Sequence, residues 1–270
     1  MKISIITIVY NNRNCISDCI QSVINQSYDD IEYLVIDGAS TDGTIDIIQN
    51  YELRITKEYP HISFRWISEK DTGLYNALNK GIRQATGDII GILHSDDLYY
   101  TTDVLKQINK VFQSTETDLV YANGQYVEQN NTEIVKRIYQ AKPFKKSYLK
   151  FGWIPLHTTI YVRKGVFDQY GLYDENYSIA SDYEISLRWF FNDNIKKIFL
   201  DSWVVKMRLG GKSTTAKFQK RKSSEDLSII RKYHLWGWFT LGCKIMRKIP
   251  QYFMPQLINI DFHLGSTKCF

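Results

Sequence analysis

Residues 87–100, G-D-I-I-G-I-L-H-S-D-D-L-Y-Y, decide how this chain folds. The apolar run 89–93 has the length and β-branching of a buried strand. It ends in His94-Ser95-Asp96-Asp97, where two adjacent carboxylates repel each other and raise one another's pKa. A divalent cation would relieve that repulsion, since Mg²⁺ sites combine one or two carboxylates with substrate phosphates. A turn or a helix cap explains the same four residues equally well.

The composition is that of a soluble globular protein. The 270 residues are 44% hydrophobic and 23% charged, which suits one large domain or a domain with an appended segment. The apolar start, residues 1–10, is too short for a signal peptide and is interpreted as a first core strand. No run approaches the ~18 apolar residues of a membrane span. The four cysteines show neither a disulfide framework nor a zinc spacing, so we expect a reducing cytoplasm.

The charge is unevenly distributed along the chain. Residues 203–270 hold thirteen Lys/Arg and three Asp/Glu, a net charge of +10. Because the whole chain carries +5, residues 1–202 carry −5. An acidic body with a basic tail predicts that the tail meets phosphates or an anionic membrane surface. No recognised module supports nucleic-acid binding.

Strands and helices alternate through the first hundred residues. We predict strands at 3–9, 32–37, 64–68 and 88–93, and helices at 16–25, 45–51 and 76–85. Apolar, non-alternating strands in this order indicate an α/β fold with a Rossmann-like, mostly parallel sheet flanked by helices.

Ligands of such sheets bind outside the carboxyl ends of the strands. Tyr10, Asp37, Ser68 and the pair Asp96-Asp97 are all predicted to lie along that rim. Asp37, followed by Asp42 across a glycine-containing loop, is placed to accept hydrogen bonds from a ribose or a base, although each also suits a helix cap.

Five motifs follow one another in this region: Tyr10-Asn11, V-I-D-G-A-S-T-D-G-T, S-E-K-D-T-G-L-Y-N-A-L-N-K-G-I, A-T-G-D and H-S-D-D. In this order they resemble the inverting glycosyltransferases of family 2, which have the GT-A fold, and most closely bacterial O-antigen and capsule enzymes. The resemblance is dense over residues 1–100 and thinner to about residue 215. It departs from the family pattern at Asn76, where an Asp is frequent, and at His94 or Ser95, which replaces the first Asp of the family's Asp-x-Asp element.

The resemblance implies a nucleotide-sugar donor, commonly a UDP-sugar, and a divalent metal (Mn²⁺ or Mg²⁺) on its diphosphate. Asp97 is then the metal ligand, and Asp96 contacts the ribose or supports the site. Lys80 either reaches the diphosphate or is a solvated surface lysine. The donor would be bound by Thr7, Tyr10, Asn11, Asp37, Asp42, Ser68, Asp71, Lys80, Ser95 and Asp96.

The second half is predicted to hold strands at 119–123, 160–164 and 204–209 and a hairpin or loop pair at 128–142. Inverting transfer needs a general base for the acceptor hydroxyl. Asp182, opening a helix over 185–191, resembles the family's acidic motif there, although it also suits an N-cap; Glu184 is the fallback. Trp153 and His157 are expected to line the acceptor pocket, with a buried structural histidine as the alternative for His157.

The end of the chain mixes cations with aromatic rings. The loop 210–214 resembles the family's flexible donor loop, in which Lys212 and the preceding Arg208 are possible diphosphate partners. Residues 217–252 suit an interfacial helix on anionic lipid, or equally a helix packed on the catalytic domain with its basic face in water. We therefore predict a GT-A domain over 1–215, divided near residue 100 into donor and acceptor halves, and a helical basic and aromatic extension over 216–270.

These observations predict a metal-dependent inverting glycosyltransferase that moves a hexose from a UDP-sugar to a polyprenyl-diphosphate-linked saccharide at the inner membrane face. A sugar nucleotidyltransferase is an alternative, but it would need a Gly-rich basic loop after the first strand. A non-catalytic nucleotide-sugar-binding subunit is a second alternative.

Overall fold

The computed structural model describes residues 1–210 and 216–255, with side chains from residue 218 in the second range. Strands of the first half are β1 (Ile3–Val9), β2 (Ile31–Asp37), β3 (Ile62–Ser68), β4 (Ile89–Ile92) and β5 (Asp97–Tyr99). Those of the second half are β6 (Leu119–Val127), β7 (Val135–Tyr139), β8 (Tyr161–Arg163) and β9 (Lys197–Arg208).

The helices are α1 (Arg13–Ile24), α2 (Thr44–Glu58), α3 (Leu74–Gln84), α4 (Val104–Ser114), α5 (Lys164–Tyr170), α6 (Ser181–Phe191), α7 (Ala216–Lys232) and α8 (Trp238–Met246). Two short 3₁₀ helices cover Lys146–Phe151 and His157–Thr159, and a further helical stretch covers 248–255. The predicted loop 210–214 with Lys212 and the tail 256–270 lie almost wholly outside the described residues.

All described strands belong to one sheet in the order β3-β2-β1-β4-β8-β6-β9-β5, and β7 pairs with residues 124–127 of β6, beyond those that pair with β8. The first four strands of that order are parallel, and β8 runs antiparallel between β4 and β6. Helices cover both faces, which confirms the predicted α/β architecture. In the second half, parallel and antiparallel strand pairs occur together. The hydrophobic pattern of the sequence did not indicate this mixture.

Strand β1 is the centre of the fold because its side chains supply both faces. Ile6 and Ile8 pack with α3 and α6, whereas Ile3 and Ile5 pack with α1, α2 and α4. Successive residues of a strand point to opposite faces, so a continuous apolar run is what a doubly covered strand requires.

The glycine within the apolar run of β4 has a packing role. Gly91 lies opposite Tyr161 of β8, and a Cβ on Gly91 would come within 2.5 Å of the Tyr161 ring. A side chain there would push β8 from β4, which is why a strand of isoleucines contains one glycine.

Helices α7 and α8 pack on the face of the sheet that holds Ile6 and Ile8 of β1. They contribute Leu227, Ile229, Ile230 and Leu241 to that core. No helix among the described residues is long and apolar enough to cross a membrane.

Candidate active site

The rim that is predicted to bind the donor forms where β1, β2 and β3 end side by side. Strand register places Val9 opposite Asp37 and Asp37 opposite Ser68. Ser68 Oγ donates to Asp37 at 2.6 Å, and Ser40 donates to the same carboxylate through its N–H (3.0 Å) and Oγ (2.5 Å). Asp37 is fully buried. Its visible effect is therefore to hold the loop that follows β2.

The chain after β1 closes over that loop. Asn11, with a positive φ of 48°, donates its N–H to Ser40 Oγ at 2.8 Å and accepts the Thr41 N–H on its side-chain oxygen at 2.8 Å. Tyr10, about half exposed, projects from this turn. A Cβ on Gly38 would lie 3.2 Å from Asp71 and 3.3 Å from the Tyr10 ring, so these three residues adjoin.

Two further charged residues of the rim are held by local contacts. Asp42 accepts hydrogen bonds from Thr44 and from the Arg13 N–H at 3.0 Å. Burial would raise the pKa of Asp42, but these bonds lower it. Lys80 Nζ contacts Asp71 at 2.6 Å and Glu69 at 2.8 Å, so Lys80 is ion-paired at the rim.

The predicted metal-binding segment forms a turn between β4 and β5. The Asp97 N–H donates to the His94 carbonyl at 2.9 Å, and Asn12 Nδ2 donates to Ser95 Oγ at 2.9 Å, which joins this turn to the end of β1. Asp97 is 1% exposed, and its Oδ2 has no hydrogen-bond partner. Burial, followed by the charge of Asp96, raises its pKa well above the usual range.

Arg208 braces the same turn from β9. Its guanidinium donates to the Asp96 carbonyl at 3.2 Å and pairs with Asp18 at 2.5 Å. Asp96 is more exposed than Asp97. Arg208 thus neutralises charge beside both carboxylates, which is compatible with the expected diphosphate contact.

A pair of histidines connects this turn to Asp182. His94 Nε2 lies 2.9 Å from His157 Nε2, and His157 Nδ1 lies 3.5 Å from Asp182 Oδ2. Burial lowers the pKa of both histidines, that of His157 to about 4, although Asp182 opposes the shift. Both imidazoles are therefore neutral at pH 7, so one ring donates a hydrogen bond and the other accepts it.

Asp182 opens helix α6 and is held from several sides. The Tyr75 hydroxyl lies 3.3 Å from Asp182 Oδ1 and accepts the Asp182 N–H at 3.3 Å. Burial alone would raise the pKa of Asp182, but positive charges, first that of Lys222, lower it to about 2. The carboxylate is therefore ionised at neutral pH.

Helix α7 supports the approach to α6. The Glu225 carboxylate accepts the N–H groups of Ser178 (3.1 Å), Ile179 (2.9 Å) and Ala180 (3.0 Å), which immediately precede α6. These N–H groups lie just before the helix, where no helical carbonyl is available to them, and a carboxylate near a helix N-terminus is favourable. Glu225 and Lys222 were absent from the predicted site because their link to Asp182 is made only by the packing of α7.

Three residues predicted for direct substrate contact lie instead in the interior. Thr7 is fully buried and bonds to Tyr33 at 3.1 Å, and Trp153 packs among Tyr121, Phe144 and Phe190. Glu184 is 1% exposed and binds Arg188, Lys232 (2.9 Å) and the Tyr233 hydroxyl (2.9 Å). We correct all three to structural roles because their polar atoms or rings are already engaged within the core.

A separate cavity of about 520 Å³ lies at the other end of the strands, beside Asp88, Asp118 and Arg163. A void that His157 lines holds only about 10 Å³. The carboxyl-end rule for ligands of α/β sheets nevertheless favours the rim where the strands end.

Comparison with known proteins decides the family. The profile described as "Glycosyl transferase family 2" matches residues 4–170, more than half of the chain. The chain belongs to glycosyl transferase family 2. This confirms the resemblance found in the ordered motifs.

Relatives of this glycosyltransferase include a "PGL/p-HBAD biosynthesis glycosyltransferase" of Mycobacterium bovis, 29% identical over 195 residues, or 70% of each chain. A "Putative teichuronic acid biosynthesis glycosyltransferase TuaG" of Bacillus subtilis is 37% identical over 106 residues, 39% of this chain and 40% of that protein.

Solved structures share the fold. The mannosyltransferase PcManGT from Pyrobaculum calidifontis, in complex with GDP-Man and Mn²⁺, aligns with a TM-score of 0.64 and 18% identity over 86% of this chain and 64% of its own. S. aureus TarS 1–349 in complex with UDP aligns with a TM-score of 0.60 and 18% identity over 84% of this chain and 66% of its own. The glycosyltransferase spans only 39% of the longer TarS chain.

The divalent metal implied by the family was predicted on Asp97. The described part of this glycosyltransferase contains no cluster of three His, Cys, Asp or Glu side chains suited to a metal. The buried, unpartnered Oδ2 of Asp97 nevertheless fits a cation ligand, since hard cations prefer carboxylate oxygens and Mg²⁺ usually takes few of them from the protein.

Proposed function

We propose that this glycosyltransferase transfers a hexose from a UDP-sugar to a sugar hydroxyl with inversion at the anomeric carbon. The observation that carries the proposal is the continuous set of contacts from Asp182 through His157 and His94 to the backbone of Asp97. It links the candidate base to the candidate diphosphate–metal site.

Asp182 is the proposed general base. The acceptor oxygen forms a bond to the anomeric carbon while the bond from that carbon to the diphosphate oxygen breaks. The hydroxyl proton passes to Asp182, and the electron pair leaves with the diphosphate. Although a carboxylate with a pKa of about 2 is a weak base, the hydroxyl becomes strongly acidic as its bond to carbon forms.

On the leaving-group side, Asp97 would hold the metal, and the remaining ligands would come from donor phosphates and water. When bound, Mn²⁺ or Mg²⁺ would stabilise the negative charge that develops on the departing diphosphate. Arg208, already paired beside Asp96, adds positive charge to that end of the cleft.

The donor's nucleoside is proposed to lie on the rim beside Tyr10, Asn11 and Asp71. Asp37, Asp42 and Ser68 would act mainly by fixing the loop that it rests on, since their oxygens are engaged there. TarS binds UDP and UDP-GlcNAc, whereas PcManGT binds GDP-Man, so both bases occur on this fold. We favour UDP from the motif resemblance.

The acceptor is proposed to be a polyprenyl-diphosphate-linked saccharide of a surface polysaccharide, built at the cytoplasmic face of the membrane. The names of the relatives, which refer to PGL/p-HBAD and teichuronic acid biosynthesis, support an envelope glycoconjugate.

A panel of UDP-, GDP- and dTDP-sugars tests the proposal by the nucleoside diphosphate released with and without a short lipid-linked acceptor. We expect acceptor-stimulated UDP release and a product of inverted anomeric configuration. Pyrophosphate release would indicate a sugar nucleotidyltransferase, and tight binding without turnover of any sugar would indicate a non-catalytic subunit. A retained configuration would overturn the inverting mechanism.

A further inference from the structure

Helix α8 and the helical stretch 248–255 expose most of their large apolar side chains, although Leu241 packs in the core. Trp238, Ile245 and Ile249, spaced by seven and four residues, lie on one helical face and are 69%, 51% and 54% exposed. Polar groups face the body instead: Thr240 donates to the Lys150 carbonyl at 2.7 Å, and Lys244 pairs with Asp226 at 2.7 Å. A helix that packs only against its own domain normally buries its apolar face and exposes its polar face, which is the opposite arrangement.

A second element adds aromatic rings to this face. Phe151, at the end of the 3₁₀ helix Lys146–Phe151, lies 5.5 Å from the Trp236 ring and 6.1 Å from the Phe239 ring. All three are between 44% and 54% exposed. Together with Trp238, Ile245 and Ile249 they form what we term the aromatic platform. Large exposed apolar side chains grouped on neighbouring segments in this way mark an interaction site.

The segments that carry the platform contain cations and no carboxylates. Residues 142–151 and 227–255 contain no Asp or Glu. Lys150 Nζ lies 5.2 Å from the centre of the Trp236 ring, and Lys145 and Arg231 are exposed nearby in sequence. Each such cation attracts an anionic leaflet by about 1 kcal/mol.

We propose that the aromatic platform docks on an anionic phospholipid bilayer, with Trp236, Trp238 and Phe239 at the headgroup level. Tryptophan rings suit this position because they combine a large apolar surface with a polar N–H. The platform would lie in the interface, since no described helix can span the bilayer.

Docking would also orient the active site. Lys244 Nζ lies 3.2 Å from the centre of the Tyr183 ring, and Tyr183 follows Asp182 directly in α6. Lys244 also pairs with Asp226 of α7. The platform is therefore fixed to the helix that carries the proposed base, and an acceptor anchored in the same bilayer would meet a cleft of defined orientation.

Co-sedimentation of the full chain with vesicles tests this inference without donor or acceptor. We expect binding to phosphatidylcholine vesicles with about 30 mol% phosphatidylglycerol, weakened by salt, and little binding to pure phosphatidylcholine. The triple variant Trp238→Ser, Ile245→Ser, Ile249→Ser should bind at least roughly tenfold more weakly. Lys145→Ala with Lys150→Ala should weaken binding to the anionic vesicles alone.

Leu53→Ser is the matched control, because Leu53 is 72% exposed on α2, away from the platform. It should bind vesicles like the unmodified chain. Donor hydrolysis by the triple variant reports whether its active site is intact. A variant that hydrolyses donor normally but does not bind vesicles has lost docking alone, so the two proposals can fail separately. Unchanged vesicle binding by the triple variant, no binding by the unmodified chain, or a dimer in light scattering that the triple variant abolishes would each overturn the proposal.

Discussion

The Nδ1 atom of His157 lies 3.5 Å from Oδ2 of Asp182 at the start of α6. Because the Tyr75 hydroxyl approaches the other carboxylate oxygen at 3.3 Å, the two contacts limit rotation of the Asp182 side chain. Both His157 and Asp182 keep about a quarter of their side-chain surface exposed. Asp182 is thus oriented and still accessible, which is what a general base requires.

Asp182→Asn should reduce acceptor-dependent UDP release roughly 100- to 10,000-fold, because an amide cannot accept the hydroxyl proton. Binding of UDP, measured by calorimetry, should stay within about twofold, since Asp182 is proposed to act on the acceptor. Asp168→Asn, at an exposed carboxylate of α5, is the control and should keep full activity. Transfer above about a tenth of normal in Asp182→Asn would contradict the assignment.

Acid should destabilise the protein between pH 6.5 and pH 4. The pKa of His157 falls from 6.5 to about 4 on folding, so the unfolded chain binds a proton over that range while the folded protein does not. The free energy of unfolding therefore decreases as pH falls, by at most about 3 kcal/mol for this residue. Asp182, with its pKa near 2, adds a loss in the same direction below pH 4.

Urea unfolding at several pH values measures this effect. His157→Gln should flatten the dependence between pH 6.5 and pH 4 without removing it, because the pKa of His94 is also lowered by burial. His61→Gln, at an exposed histidine before β3, should leave the slope unchanged. An unaltered slope in His157→Gln would show that the imidazole is solvated in the folded state.

The parallel half of the fold was predictable because β1, β2 and β4 are buried along their whole length and each is followed by a turn or loop. The second half was not. β6 continues past Asn123 through polar residues whose groups are satisfied by distant partners; Asn123 accepts the Ala141 N–H at 2.7 Å and donates to Asp201 at 3.0 Å. β5 is three residues long and exists because it pairs with β9.

Helix α4 was missed despite a readable signal. Val104, Leu105, Ile108 and Phe112 recur at helical spacing and form the buried face of α4. The contact between His94 and His157, by contrast, joins residues from two halves of the chain and has no local signature. The same holds for Glu184, whose partners Lys232 and Tyr233 lie at the end of α7.

Asp97→Asn should separate metal binding from stability. Burial raises the pKa of Asp97, so the folded protein binds a proton there more tightly than the unfolded chain, and ionisation at neutral pH destabilises the fold. The amide removes that charge, so we expect the free energy of unfolding at pH 7 to be no lower than that of the unmodified protein, while transfer falls.

Thermal melts with MnCl₂ and UDP provide the measurement. The unmodified protein should gain melting temperature with both present, and Asp97→Asn should gain much less, since binding to the folded state is what stabilises. Asp96→Asn is the comparison that distinguishes the two carboxylates. If Asp96→Asn loses the Mn²⁺ effect and Asp97→Asn keeps it, the ligand is Asp96.

Glu184→Gln should lower stability without impairing chemistry. Glu184 is buried among Arg188, Lys232 and Tyr233. The amide would remove the counter-charge of Arg188 and leave Lys232 only the longer contact with Asp174 at 4.0 Å. Removing a charged hydrogen-bond partner of this kind costs about 1–3 kcal/mol, measurable by urea unfolding.

Because Glu184 joins α6 to α7, limited proteolysis should cut near α7 first. Glu133→Gln, which removes an exposed ion pair with Lys206, is the control and should change stability little. Acceptor-dependent UDP release per folded molecule should remain normal in Glu184→Gln; a loss comparable to that of Asp182→Asn would restore Glu184 as a candidate base.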